Sequence, residues 1–283
     1  GEGSLHTGED EIHNGADDNA SGVSILLQLA RDLLENENAN NHNYLFIAFS
    51  GEEKGLWGSN YFCKNPTIEL STINYMINLD MVGRLDEEKG LAINGVGTSP
   101  VWKEVIEGTS LNETKLITSE SGVGPSDHTS FYLQDIPVLH FFTGQHADYH
   151  KPSDDVEKIN FEGMLKIENY ILNIIEYLNE QESIEFTKTK DESSDTPRFT
   201  VTLGVMPDYM FQGEGMRIDG VTLGKPADKA GLKKGDIVVK MGEIMVTDMM
   251  SYMKALSEFK KGDKTIVVVK RGKKEIIKEK VEF

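Results

Sequence analysis

The sequence predicts an α/β domain with a largely parallel mixed sheet flanked by helices, followed by a small, mostly β domain. In the first part of the chain, short apolar runs typical of buried strands alternate with amphipathic helical patterns. A polar stretch rich in Ser and Thr then interrupts both patterns. Beyond it, short β-type runs alternate with glycine-containing turns. These observations place the first domain at residues 1–182, a linker at 183–197 and the second domain at 198–283.

Apolar spacing locates the elements of the first domain. Residues 19–35 carry apolar side chains at three- and four-residue intervals, which predicts a helix capped by Asn19 or Ser21. The next predicted elements are buried strands at residues 44–49, 73–79 and 136–142 and a helix at Phe161–Leu178.

The second domain is predicted from shorter patterns. At about 85 residues it is large enough to fold independently. Its predicted elements are strands at Met216–Val221, Ile237–Met241, 266–270 and 276–281, with a helix at 249–259.

Composition excludes several classes of partner. The chain has 29 basic and 47 acidic residues and a formal charge of −18, which repels phosphate backbones and argues against nucleic acid. No apolar run approaches the roughly 18 residues of a membrane helix, so no membrane span is expected. The single cysteine, Cys63, excludes an internal disulfide and fits no cysteine metal motif.

Acidic and histidine side chains follow the ends of the predicted strands, where open α/β sheets bind their ligands. Carboxylates and imidazoles together suit Zn²⁺. In a tandem Glu pair, one side chain can bind the metal while its neighbour takes a proton from water. The candidates are Asp18 before the first helix, Glu52 and Glu53 after the strand at 44–49, Asp80 after the second strand and His150 after the third.

Each candidate also has an ordinary structural explanation when it is taken alone. Asp17 and Asp18 could act as a helix N-cap pair, and Glu52-Glu53 could be a solvated helix start. A turn residue and a surface loop histidine would explain the other two. Their shared position at strand ends favours a metal site.

Five segments resemble metallopeptidase family 28, the co-catalytic di-zinc aminopeptidases, in order and approximate spacing. The resemblance covers residues 1–180 and implies a zinc-exopeptidase-like fold. The segments are NGADDNASG at 14–22, FSGEEKGLWGS at 49–59, NLDMVGR at 78–84, SDHTSF at 126–131 and DYH at 148–150.

This resemblance implies hydrolysis of the N-terminal bond of peptides or proteins, and it assigns roles residue by residue. Asp127 and His128 are expected beside the site, supporting the ligands rather than binding metal. The principal implied roles are Asp18 as a bridge between two zinc ions, Glu53 and His150 as ligands of one ion, Asp80 as a ligand of the other, and Glu52 as general base.

One family ligand has no counterpart in this sequence. The family carries a His-x-Asp element upstream of the bridging Asp, whereas only 17 residues precede Asp18 and neither His6 nor His13 lies in such an element. The chain is therefore expected to begin inside the peptidase domain and to hold one zinc ion or none, where an intact parent would hold two. It is also expected to lack full activity as given and to self-associate through exposed sheet edges.

The second domain resembles bacterial PDZ domains through GEGMRI at 213–218, GKPADKAGLKKGDIV at 224–238 and KRGK at 270–273. The resemblance implies that a peptide C-terminus adds as a strand to a sheet edge, with its carboxylate at a glycine-rich loop. The expected groove residues are Gly213, Gly215, Met216 and Ile218, opposite the helix at 249–259. The alternative is a PDZ fold that packs on the peptidase and binds no peptide.

Two other functions remain open at this point. One is a glutaminyl-cyclase-like acyl transfer, since that related group uses a single Asp/Glu/His zinc site. The other is a non-catalytic peptide-binding module on a degenerate peptidase fold. Resemblance alone implies a periplasmic or extracellular location, because family members are commonly exported.

Overall fold

The protein forms two compact units in a computed structural model. The structure describes residues 4–6, 8–109, 111, 114–189, 201–208, 211, 213–272 and 275–283. One unit comprises Gly1–Thr143 and Asp148–Asp191, and the other comprises Gly144–Ala147 and Glu192–Phe283. Each unit has an apolar core of its own.

A four-stranded mixed sheet lies at the centre of the first unit. Its strands are β1 (Met76–Leu79), β2 (Leu91–Asn94), β3 (Leu116–Ser119) and β4 (Val138–Phe142). Their order is β1-β4-β2-β3, with β1–β4 and β2–β3 parallel and β2–β4 antiparallel. The helices are α1 (Gly22–Glu35), α2 (Trp57–Lys64), α3 (Val101–Gly108), α4 (His128–Tyr132) and α5 (Phe161–Leu178). This arrangement confirms the predicted mixed sheet with flanking helices.

Helices α1 and α5 form where the apolar spacing predicted them, and side-chain caps hold their first turns. The α5 pattern places a mostly apolar face in the core, where Ile171 and Ile174 are fully buried and Glu168 is a buried exception. Asn160 caps α5, because its side-chain oxygen accepts a hydrogen bond from Gly163 N at 2.9 Å. At the start of α1, Asn19 plays the expected part, since its Oδ1 accepts from Gly22 N at 3.1 Å.

The strand predicted at residues 44–49 does not form. A cavity of about 290 Å³ separates part of this segment, Ile47 to Phe49, from β1, and Val23 and Leu26 of α1 also line it. We call this cavity the slot. The segment 44–49 lines the slot opposite β1 and has no ladder partner among the described residues. The apolar run is real, but Leu45 is exposed rather than buried.

The other strand predictions differ mainly in length. The run at 73–79 becomes a strand only at Met76, where its pairing with β4 begins opposite Val138. In the run at 136–142, pairing begins at Val138. Strands β2 and β3, each four residues long, were not predicted.

The second unit is an antiparallel sheet with two helices. Its strands are β5 (Val205–Pro207), β6 (Met216–Val221), β7 (Ile237–Met241), β8 (Ile244–Met245), β9 (Lys264–Arg271) and β10 (Glu275–Glu282), and its helices are α6 (Pro226–Lys229) and α7 (Met249–Ser257). The main strand order is β10-β9-β7-β6-β5, with β8 beside β7. A capping box at Asp248 and Ser251 starts α7. This all-antiparallel unit agrees with the predicted small β domain.

Strand order contradicts the groove expected along β6. That strand pairs with β5 on one side and β7 on the other, so it offers no free edge. Met216 and Ile218 point into the core, where both are buried. Gly215 donates its N–H to Thr247 O at 2.8 Å. Gly213 precedes β6, and the edge strand on this side of the sheet is β5.

The predicted linker is only partly described. Residues 184–189 pack against the first unit: Ile184 N–H bonds to Asn74 Oδ1 at 2.7 Å, and Thr189 contacts Tyr132. Residues 190–197 lie outside the described part of the chain, so the domain boundaries remain a proposal. No helix in the described segments has the length and hydropathy to cross a membrane.

The α5 core gives a direct stability test. Replacing fully buried Ile171 with Ala should lower the free energy of unfolding of the first unit by about 3 kcal/mol, because a cavity replaces packed methyl groups. The matched change Leu165→Ala, at a 58% exposed position of the same helix, should cost less than about 1 kcal/mol. Urea unfolding followed by tryptophan fluorescence reports this unit, since Trp57 and Trp102 both lie in it. Equal effects of the two changes would contradict the assignment.

Candidate metal centre

Three loops position the candidate ligands at one end of the sheet. Asp18 lies in the irregular turn Ala16–Ser21, where its own backbone is non-helical (φ −106°, ψ 87°). Glu53 lies in the 3₁₀ turn Glu52–Lys54, which glycines with positive φ flank on both sides. His150 lies in the loop after β4 and has a left-handed backbone, with φ of 54°. Such a conformation in a non-glycine residue is held by its surroundings.

The three side chains converge although they are far apart in sequence. His150 Nε2 lies 3.2 Å from Asp18 Oδ2 and 3.0 Å from Glu53 Oε1. One potential ligand atom from each residue lies within 4.8 Å of the other two. An imidazole nitrogen and two carboxylate oxygens at such separations form the type of three-residue set that binds Zn²⁺ in proteins. The donor set therefore fits the metal that the sequence implied.

Asp80 lines the slot together with Asp18 and Glu53 but is held by a different contact. Its Oδ2 accepts a hydrogen bond from Ser126 Oγ at 2.7 Å. Asn78 in turn donates to Ser126 Oγ at 2.7 Å, which fixes the direction of the hydroxyl hydrogen. Sequence reasoning missed Ser126 and Asn78, although Ser126 directly precedes the Asp127 it singled out. Both residues lie in the quoted segments NLDMVGR and SDHTSF, but the sequence assigned neither of them a role in the site.

Crowding of carboxylates governs the electrostatics of the site. Burial and the charges of Asp80 and Glu53 raise the pKa of Glu52 to about 8. Burial, partly offset by the Ser126 hydrogen bond, raises the pKa of Asp80 to about 7. Burial alone would lower the pKa of His150, but hydrogen bonds to Asp18 and Glu53 outweigh it and raise the value to about 10. A bound cation would relieve the same repulsion.

Asp127 and His128 occupy different surroundings. Asp127 is buried and lines the slot with Asp80 and Glu52, and burial raises its pKa. The ring of His128 stacks on His140, with ring centroids 4.5 Å apart. Both imidazoles are fully buried, and burial lowers the pKa of His128 and brings that of His140 to about 3. The lowered pKa values keep both imidazoles neutral at ordinary pH. A supporting role for Asp127 and His128 remains a prediction.

A second buried carboxylate, Asp154, also connects these loops and was missed as a functional residue. Its carboxylate accepts hydrogen bonds from the backbone of the Asp18 turn and from Arg84. The sequence showed the Asp154-Asp155 pair beside His150, but a carboxylate that binds backbone N–H groups has no sequence signature of its own.

Comparisons with known proteins assign a family model to each of the two parts of the chain. A model for Peptidase family M28 matches residues 4–175, and a PDZ domain model matches residues 184–278. Aminopeptidase YwaD from Bacillus subtilis is 31% identical over 160 residues, which cover 52% of this chain and 34% of that protein. A probable zinc metalloprotease from Pyrenophora tritici-repentis is 42% identical over 79 residues, covering 27% of this chain and 17% of that protein.

The structure is similar to that of the Legionella pneumophila LapA aminopeptidase, with a TM-score of 0.50 and 23% identity. The match covers 60% of this chain and 48% of the LapA chain. This likeness supports the fold alone. The chain spans about a third of the YwaD sequence. Activity of the whole protein is therefore a matter for proposal.

The stacked histidines predict a specific acid sensitivity. The unfolded chain binds protons at histidine below pH 6.5, whereas buried His140 does not until about pH 3. Between pH 5.5 and 4.5 this difference should remove about 1.4 kcal/mol of stability, and His140→Phe should lose about that much less than the wild type, while the contribution of buried His128 remains in both. Urea unfolding at several pH values measures both slopes. Parallel slopes for the wild type and the variant would show that His140 is protonated in the folded state.

Proposed function

Because the chain belongs to Peptidase family M28, we propose that it carries the metal centre of a zinc-dependent aminopeptidase that hydrolyses N-terminal peptide bonds. The observation that supports this proposal is the convergence of Asp18, Glu53 and His150, whose ligand atoms lie within 4.8 Å of one another. Relatives named as an aminopeptidase and as a probable zinc metalloprotease support the same metal and reaction class.

In this proposal Asp18, Glu53 and His150 hold one zinc ion. Asp18 and Asp80 provide a second, weaker position, so the number of ions is part of the proposal. When bound, zinc supplies an electrophile for the scissile carbonyl group and makes a water molecule more acidic. Ser126 keeps Asp80 turned towards the slot through its 2.7 Å hydrogen bond.

Glu52 is the proposed general base. It is half-buried, lines the slot beside Asp80, and has a pKa raised to about 8 by burial and neighbouring carboxylates. A carboxyl group with a pKa near working pH can accept a proton from water and return it to a leaving amine. A nearby dication favours the ionised form and therefore lowers that pKa towards neutrality.

The second unit adds a proposed peptide-binding role. A PDZ domain can bind a peptide C-terminus by adding it as a strand to a sheet edge. Since β6 is enclosed, we place the binding edge at β5. The outer side of β5 pairs with no strand in the described part of the chain. Gly204, directly before β5, has a φ of 77°, which a turn at the strand start requires.

An exported location and self-association complete the proposal. The location is proposed from family resemblance alone. Self-association is proposed from the outer edge of β1 beside the slot, which pairs with no strand in the described part of the chain.

Replacing Glu52 with Gln tests the reaction. In the zinc-loaded chain, Glu52→Gln should lower kcat on aminoacyl-p-nitroanilides by at least about 100-fold, because no carboxylate is left to move the proton. Zinc content should remain that of the wild type. Glu69→Gln, which removes the same charge from an exposed position, should leave both unchanged.

Three results would go against the proposal. Full turnover by Glu52→Gln would contradict the proposal that Glu52 is the general base. Wild-type activity that is unchanged in the presence of a metal chelator would contradict the proposed dependence on zinc. Cyclisation of N-terminal glutaminyl peptides without aminopeptidase activity would favour the glutaminyl-cyclase alternative, and absence of both activities in the zinc-loaded wild type would favour the non-catalytic one.

Peptide binding at β5 has its own test. Titrating ¹⁵N-labelled protein with peptides that end in an apolar residue and a free carboxylate should shift the amide resonances of Val205 and Met206 most strongly. The amidated form of the same peptide should bind more weakly, because it lacks the terminal charge. Shifts centred on β6, or no shifts at all, would contradict this location.

A further inference from the structure

Asp154 is the most enclosed carboxylate in the loop that carries His150, with 1% of its surface exposed. Its Oδ2 accepts hydrogen bonds from Asp17 N at 2.9 Å and from Asp18 N at 3.0 Å. Its backbone oxygen accepts a third from Ala16 N at 3.0 Å. The residue thus binds three successive N–H groups of the turn that presents Asp18.

The other carboxylate oxygen of Asp154 faces a third segment. Its Oδ1 accepts a hydrogen bond from Arg84 Nη2 at 3.0 Å. Arg84 follows Asp80 by four residues, and its Nη2 also lies 3.5 Å from Asp148 Oδ2. One buried carboxylate and one guanidinium therefore tie together the segments that carry Asp18, Asp80 and His150.

Asp17 adds a second tie in the opposite direction. Asp17 is fully buried, and its Oδ1 accepts a hydrogen bond from Gly83 N at 2.6 Å. The Asp18 turn is thus held by its own N–H groups on Asp154 and by its neighbouring side chain on the Asp80 segment. Asp18 has little freedom to move away from His150 without breaking several buried hydrogen bonds.

From these contacts we propose that Asp154, paired with Arg84, is the positioning residue that holds Asp18, Asp80 and His150 in their metal-binding arrangement. The inference rests on the proposed metal centre and adds two residues to it. Repulsion between the carboxylates of Asp18, Glu53 and Asp80 pushes their loops apart, and the Asp154–Arg84 pair opposes that separation. Groups that orient metal ligands from behind commonly change metal affinity by 10–100-fold when replaced.

The chemistry of an amide makes Asp154→Asn a sharp probe. Its single carbonyl oxygen can face either the N–H groups of Asp17 and Asp18 or the guanidinium of Arg84, but not both. The amide NH₂ then faces a donor on the remaining side. Asn has nearly the same side-chain volume as Asp, so the substitution removes one set of hydrogen bonds without leaving a cavity. Arg84→Met removes the cation but keeps most of the stem, whereas Arg84→Lys keeps the charge.

The first experiment measures Zn²⁺ binding to the whole chain by competition with a chromogenic chelator. Asp154→Asn and Arg84→Met should raise the dissociation constant at least tenfold, with partial rescue in Arg84→Lys. The matched control Glu157→Gln removes an exposed charge from the same loop and should bind as the wild type does. Thermal unfolding of each metal-free variant shows that the protein is folded.

The second experiment needs no metal. Hydrogen exchange of the Asp17 and Asp18 amides should be at least tenfold faster in Asp154→Ala than in Glu157→Gln, because Ala offers these amides no side-chain acceptor. Wild-type zinc affinity in folded Asp154→Asn would overturn the inference, as would an equal loss of affinity in Glu157→Gln. If the wild type itself binds no Zn²⁺, the proposed function fails for this chain, and the exchange rates alone decide whether Asp154 orders the turn.

Discussion

Repulsion between crowded carboxylates is the constraint on which this structure depends. Asp18, Glu52, Glu53, Asp80 and Asp127 all line one cavity, and His150 lies within 3.2 Å of Asp18 and 3.0 Å of Glu53. Burial strengthens the repulsion, because water no longer screens it. The fold opposes it with rigid neighbours, namely the hydrogen-bonded Ser126, the Asp154–Arg84 pair and the buried sheet beneath. Because a bound cation would offset this repulsion, the crowded carboxylates are best explained as cation ligands.

Much of the fold could be predicted from sequence where local pattern and burial coincide. Helix α5 and strands β6 and β7 have the predicted bounds, because each buries an apolar face in its own unit. The run at 44–49 has an equally strong apolar pattern but pairs with no described strand. Side-chain hydrophobicity reports a preference for burial, whereas a strand also needs a hydrogen-bonding partner at the right distance. Sequence pattern carries no information about that partner.

The same distinction explains which parts of the site were found. Asp18, Glu53 and His150 lie in recognisable motifs, and the structure brings them together. Asp154 and Asn78 were missed because they act on a backbone amide and a hydroxyl, contacts that depend on loops meeting in space. The expected peptide groove was misplaced for a topological reason. The motif around Met216 suggested a binding strand, but strand order puts β6 inside the sheet and β5 at its edge.

The slot beside β1 has a thermodynamic consequence. Apolar side chains of α1 and a cluster of carboxylates line the same slot. Any chain segment that fills it displaces water from those groups and so lowers the local dielectric constant, which strengthens their attraction for cations. By thermodynamic linkage, bound cations must then increase the affinity of the slot for that segment by the same factor. For any segment that fills the slot, its docking and the binding of cations would be coupled equilibria, and each would change the apparent affinity of the other.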